Sequence, residues 1–394
     1  MKTSAQIVQQ VRESGQFKAL LRSTSDARDA SVTKERIVET LSPFFENQEH
    51  LKRFATQTLI PEVSVLGELT KSPEFYDYFE QVSRSYRTAK QSHPQHFYQA
   101  LSFWFTPCEV ALTKYWSLFH LEVDKADIPL EEFTHESFRN IGDFIEGLSQ
   151  PFLRALLSIV RINSNRTVHL NDVANLDLGI VITDLITESP FSNLFLIQPW
   201  NIKLNQCRNI AYHHTARVEG NKIICTFGKS PNKKTFDTTR EETFQATQGI
   251  FNVFRVIKLA YSLSVIDNIT SLSIPRDDTT STRKEAHLIN LVLQFASQGF
   301  DVRAISETPK LSLIRVRDVL HNDDKKRAGH SSQFLFHVWQ ATLSEQVAVE
   351  YENADGQLMY RFSLDATTCE AIDKGVDDPL RLQASTMQIN KPVQ

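Results

Sequence analysis

Between Leu204 and His214 the chain reads Leu-Asn-Gln-Cys-Arg-Asn-Ile-Ala-Tyr-His-His. Arg208, Asn209, Tyr212, His213 and His214 are thereby gathered into seven residues. The pattern predicts that they sit at the end of a helix over 200–216. Asn209 and His213 are four apart and share a helix face. Arg208 is about 140° from His213 around an ideal helix, so the two line adjacent sides of a groove. An imidazole titrates near neutrality, so it can take the proton of a ribose 2′-hydroxyl or return one to a leaving 5′-oxygen. A guanidinium has the fork and the fixed charge to hold a phosphate and to offset charge building on it. Asn209 would orient the histidine or the substrate. The set suffices to cleave RNA without a metal, so no cofactor is expected. Either His213 or His214 could hold the catalytic position, and the spacing favours His213.

The run Arg208-Asn209-Ile-Ala-Tyr-His213 resembles the signature of the HEPN superfamily, an Arg, a polar residue, a few positions and a His. The similarity covers about residues 96–266 and is strongest over 170–262. It implies a helical up-and-down bundle that dimerises and brings two Arg–His sets into one cleft. It also implies metal-independent endoribonuclease activity, found in toxins and in defence against phage. The superfamily holds non-catalytic RNA binders and scaffolds as well, and that alternative stays open.

Other chemistry finds little support. Gly228-Lys229-Ser230 looks like part of a phosphate loop, but position 223 is Ile where that loop needs Gly. Cys108, Cys207, Cys225 and Cys369 form no CxxC pair, and the twelve His show no metal-ligand spacing. No nucleophile elbow or dinucleotide fingerprint occurs.

The elements that must position the motif are mostly helical. The 394 residues contain only 12 Gly and 14 Pro, which disfavours a turn-rich β fold. A net charge of −4 offers no global basic field for nucleic acid, so any such contact must be local. No apolar leader or spanning segment is read, and a cytoplasmic chain with free thiols is expected. Helical periodicity covers 5–22, 33–46 and 49–69, and Ser72-Pro73 opens a helix to about 90. An aromatic-rich buried helix follows from His96 to about 122, then helices over 130–162 and 171–188. Trp200 and Leu204 are expected in the core. A Gly-Asn turn within Arg217–Phe227 predicts a β-hairpin. Thr239-Arg-Glu-Glu242 is a capping box for a helix to about 266.

After a polar linker over 268–282, a second capping box at Thr282–Glu285 opens a last domain. Helices are predicted over 285–298, 301–307 and 312–322, then a hairpin about Ala354-Asp355-Gly356. This order resembles a winged helix-turn-helix, with Arg315 and Arg317 on its third helix and Lys325, Lys326 and Arg327 following. A small α/β interaction domain is the other reading of the same segment.

The fold class expected is therefore mainly α: an N-terminal helical region (1–92), a HEPN-like helical domain with an inserted β-hairpin (93–267), and a C-terminal α/β domain (283–394). The expected function is RNA cleavage at a homodimer cleft by Arg208 and His213. Asn209, Tyr212 and His214 would support them, and Lys233 and Lys234 would guide RNA. A regulatory protein or antitoxin, or the terminal domains themselves, would restrain it. No membrane partner is expected. The rival is a nucleic-acid-binding regulator or scaffold that reads through Arg315 and Arg317.

Overall fold

Helices dominate, as the low glycine and proline counts predict. A computed structural model describes residues 3–27, 30–56, 58–118, 128–228, 231–274, 284–320 and 323–373. The chain divides into two compact units. One takes Met1–Pro43, Gln48–Ser64 and Thr282–Gln394; the other takes Phe44–Asn47 and Val65–Ser281. This division differs from the expected boundary at residue 92. The first helices belong with the C-terminal sheet, and the helix opened by Ser72-Pro73 belongs with the motif-bearing unit. Lys229, Ser230, the linker beyond residue 274 and Thr282 lie outside the described residues.

Five helices open the chain: α1 (Ser4–Glu13), α2 (Gly15–Ala27), α3 (Ala30–Leu41), α4 (Gln48–Phe54) and α5 (Ile60–Leu69). Periodicity predicts one helix over 49–69, but Pro61 has no N–H to give and fits only a first turn, so the helix restarts there.

The motif-bearing unit continues with α6 (Pro73–Ser92), α7 (Pro94–Leu118), α8 (Leu130–Phe144), α9 (Gln150–Asn163), α10 (Leu170–Ala174) and α11 (Leu178–Glu188). A two-residue strand pair, β1 (Leu196–Ile197) and β2 (Ile202–Lys203), leads into α12 (Leu204–Tyr212). An antiparallel sheet of β3 (Ala216–Glu219), β4 (Lys222–Phe227) and β5 (Lys234–Thr238) follows, then the long α13 (Arg240–Asp267). The expected hairpin is thus present and gains a third strand, while the expected helix over 200–216 shortens to α12. Helix α9 is buried on most sides from Phe152 to Ile162, with Arg154 and Arg161 on its half-buried face, and sits among α6, α7, α11 and α13. Edge-to-face rings tie it to α13: Phe152 meets Phe254 at 5.4 Å and Tyr261 at 5.3 Å. Among the described residues α13 is the one helix long and apolar enough to cross a membrane. Of its most apolar window 61% is buried inside the unit.

The other unit adds α14 (Lys284–Ser297), β6 (Phe300–Glu307), β7 (Leu311–Asp318), α15 (Asp324–Ser332), α16 (Leu335–Thr342), β8 (Gln346–Glu352), β9 (Leu358–Asp365) and α17 (Ala366–Asp373). The sheet order is β6-β7-β8-β9, with β7 and β8 parallel and the outer pairs antiparallel. Helices α15 and α16 supply the crossover that a parallel pair requires. Helix α1 packs on α14 and β6, and Arg12 grips Asp301 with two hydrogen bonds of 3.1 and 3.2 Å. The helices expected over 301–307 and 312–322 are strands, so the winged-helix expectation fails here. The physical reason lies in β7, where Ser312, Ile314, Val316 and Asp318 are buried and the residues between them are not. That is period two, the mark of a strand. The expected hairpin at Ala354–Gly356 is present, with Gly356 at φ +84°.

Candidate functional site

Helix α12 owes its place to an apolar face of Leu204, Cys207, Ile210 and Ala211, all buried, which packs against α8. The ring of Trp200, just before it, is half-buried and lies parallel to Phe138 at 5.9 Å, and its indole N–H donates to Thr238 Oγ1. At the other end His213 is the cap and His214 takes φ +48°. The His214 N–H donates to Ala211 C=O and the Thr215 N–H to Ile210 C=O, at 3.3 and 3.2 Å. These two bonds are the Schellman closure, which normally places glycine where His214 stands. A histidine in that backbone region is strained, and such strain gathers at functional sites.

Three side chains of the motif, Arg208, Asn209 and Tyr212, touch one another at this end. Arg208 is half-buried. Its Nε donates to Glu146 Oε2 at 2.6 Å and its Nη2 to Glu146 Oε1 at 2.9 Å. Its carbon centre sits 4.6 Å from the centroid of the Tyr212 ring. Nη1 reaches Asn209 Oδ1 at 3.3 Å, and Asn209 Nδ2 reaches Gln206 Oε1 at the same distance. The guanidinium is therefore fixed along one edge by a carboxylate and across one face by a ring. Its Nη1/Nη2 edge is left with the long Asn209 contact. Hydrogen bonding to Glu146 pushes the Arg208 pKa up. Burial first, then the charges of Glu146 and Asp143, push the Tyr212 hydroxyl up, so it stays protonated as a donor.

Tyr212, His213 and His214 are exposed. Neither imidazole has a hydrogen-bond partner among the described residues. Beside them runs a groove of about 450 Å³ between α8, the end of α12 and β3. His214 and Tyr212 line it; His213 stands next to them outside its wall. Gly142 lets the helices close in: a Cβ there would come within 3.2 Å of Ala211 Cβ and 3.5 Å of the Tyr212 ring.

Glu146 escaped sequence reasoning. It belongs to a π-helical turn, Ile145–Ser149, between α8 and α9. Pro151 lies just beyond and has no N–H for the carbonyl four residues back, Gly147. The Ser149 hydroxyl takes up the Phe144 carbonyl at 3.1 Å. The extra residue of the turn rotates Glu146 toward α12, and π-turns recur at functional sites for this reason. A Gly followed four places later by Pro was the available signal.

The remaining sequence-derived residues stand apart. Lys233 and Lys234 are exposed on and beside β5, two strands or about 10 Å from the groove wall at β3. Arg315 and Arg317 lie on strand β7 of the other unit rather than on a recognition helix. Arg315 donates from Nε and Nη2 to Glu350, with Glu352 at 3.7 Å. The Arg317 guanidinium packs on Gly356, where a Cβ would lie 1.7 Å from its Nη2. Arg327, expected to meet phosphate, is buried with Asp318 at 2.8 and 3.0 Å. Lys325 and Lys326 are exposed at the start of α15, and their backbone N–H groups are capped by Asp323. Among the described residues no cluster of His, Cys, Asp and Glu could hold a metal ion. Comparison with protein-family models, curated proteins and solved structures gives no match for this chain.

Proposed function

We propose that the chain is a metal-independent endoribonuclease of HEPN type, working at the end of α12. The observation that carries this reading is a pre-set guanidinium in α12 and, just past the end of the same helix, two exposed imidazoles, one of which lines an open groove. The Nη1/Nη2 edge of Arg208 would hold the non-bridging oxygens of the scissile phosphate. The imidazoles of His213 and His214 would divide the proton transfers. One takes the 2′-hydroxyl proton as O2′ bonds to phosphorus. The other protonates O5′ as the P–O5′ bond breaks. The products are a 2′,3′-cyclic phosphate and a 5′-hydroxyl, with no oxidant or added water. Asn209 would steady Arg208, and Glu146 would hold its plane. As an effector in toxicity or phage defence the protein would act in the cytoplasm as a homodimer under the control of a regulatory protein or antitoxin.

The test is cleavage of single-stranded RNA by the full chain in excess chelator. Arg208→Ala should lower the rate by about 10²–10³, the scale for removing one charge-stabilising donor. His213→Ala or His214→Ala should cost about 10²–10⁴. Cleavage abolished by chelator, or unchanged in both histidine variants, overturns the proposal.

A further inference from the structure

One face of α8 forms the groove along most of its length. Glu131, Phe138 and Asp143 all line it, and from 131 to 143 the helix rises about 18 Å. The facing wall is Ile210 and Tyr212 at the end of α12 and Val218 on β3. A volume of about 450 Å³ spread along that length admits a single strand and excludes a duplex. The exposed Tyr212 ring and half-buried Val218, over the buried Phe138 and Ile210, give it an apolar surface of the kind that takes up an unstacked base. The Asp143 end adjoins Tyr212, which also carries the Arg208 guanidinium.

We infer that this trough binds the single-stranded RNA flanking the cut, and that Asp143 selects guanine at the base nearest the scissile phosphate. The inference rests on the ribonuclease reading for the placement of that phosphate. Asp143 is exposed on the groove wall with no hydrogen-bond partner among the described residues. An ionised carboxylate only accepts. The Watson–Crick edge of guanine offers it two adjacent donors, N1–H and the N2 amine. Uracil offers one N–H between two carbonyl oxygens, and those oxygens repel a carboxylate. Glu131 accepts in the same way but stands more than three turns back along α8, about 18 Å away, too far to read the same base.

Two 2′-deoxy oligonucleotides, which cannot be cut through a 2′-hydroxyl, separate binding from chemistry: a thymine-free deoxyuridine run, and the same run with one guanine. Calorimetric titration of the full chain should give about tenfold tighter binding of the guanine oligomer, the scale of one good bidentate base contact. Asp143→Asn, a surface change on α8, should bring the two within about twofold while its thermal unfolding matches wild type. Equal affinities in the wild type, or a preference untouched by Asp143→Asn, overturn the inference. RNA cleavage is scored separately. Guanine-selective binding without cleavage keeps the base site and removes the nuclease; cleavage without base preference does the reverse.

Discussion

His214 sets stability against function at one residue. Its φ of +48° closes the Schellman turn of α12. For a residue with a Cβ this region costs about 1–2 kcal/mol. Glycine removes that cost but brings about 0.5–1 kcal/mol of extra chain entropy in the unfolded state. Against wild type His214→Gly is therefore close to neutral or mildly stabilising. The sharper comparison is His214→Ala with His214→Gly. Both delete the imidazole, which has no hydrogen-bond partner among the described residues, and only alanine keeps the strain. His214→Gly should be the more stable by about 1 kcal/mol, or about 2–4 °C in a unit of this size. Urea unfolding followed by the signal of the rings around Trp200 reads the difference. RNA cleavage should fall equally in the two variants. An alanine variant as stable as the glycine variant would show that the turn stores no strain. A glycine variant with wild-type cleavage would free His214 of any role.

Two further predictions rest on ionisable groups. In a double-mutant cycle on Glu146→Gln and Arg208→Ala, the side chains are 29% and 28% exposed, between the surface and buried regimes. A coupling of about 1–2 kcal/mol in unfolding free energy is expected, and additivity within about 0.5 kcal/mol would deny that Glu146 holds the guanidinium. In the other unit, burial lowers the His330 pKa to about 4, with the Arg327 charge adding to the shift. The unfolded chain takes up this proton below about pH 6.5 and the folded chain does not. Stability is thus full above pH 6.5 and falls as the pH drops toward 4, by up to about 3 kcal/mol. His287 and His337 shift in the same direction, so His330→Gln should flatten part of the slope seen by calorimetry between pH 4 and 7, and an unchanged slope would contradict this.

What the sequence revealed is largely what local chemistry decides. Thr239 and Glu242 form their capping box, with bonds of 3.2 and 2.9 Å, because both partners lie within one turn. Gly220, at φ +65°, makes the β3–β4 turn where Gly-Asn predicts it. The Arg208–His214 segment ends a helix as its composition suggests. The errors came where tertiary surroundings choose. Leu-Ser-Leu-Ile-Arg-Val-Arg-Asp fits a helix or a strand by its apolar count, and pairing with β6 and β8 settles it as β7. The groove was invisible because it needs α8 and β3, some eighty residues apart, on either side of α12. Glu146 was invisible because a glutamate inside a helical run is ordinary until a π-turn redirects it.

Arg327, Arg315 and Arg208 each grip a carboxylate, and their surroundings decide which can serve an anion. Arg327 has both oxygens of Asp318, the Gln298 carbonyl at 2.6 Å and the Phe300 ring 4.1 Å from its centre. With 8% of its side chain exposed against 0% for Asp318, nothing is left to offer, and the pair is a structural clamp. Arg315 is 44% exposed but stands among Glu350 and Glu352, so the local field repels phosphate. Arg208 faces one carboxylate, keeps a donor edge that makes only one long contact, and adjoins a groove. A phosphate arriving there meets a positive edge already oriented and desolvates little else. The free energy of ordering that guanidinium has been met in folding by Glu146 and Tyr212 rather than at each binding event. Exposure alone would have favoured Arg315 for nucleic acid; the balance of charge and unspent donors favours Arg208.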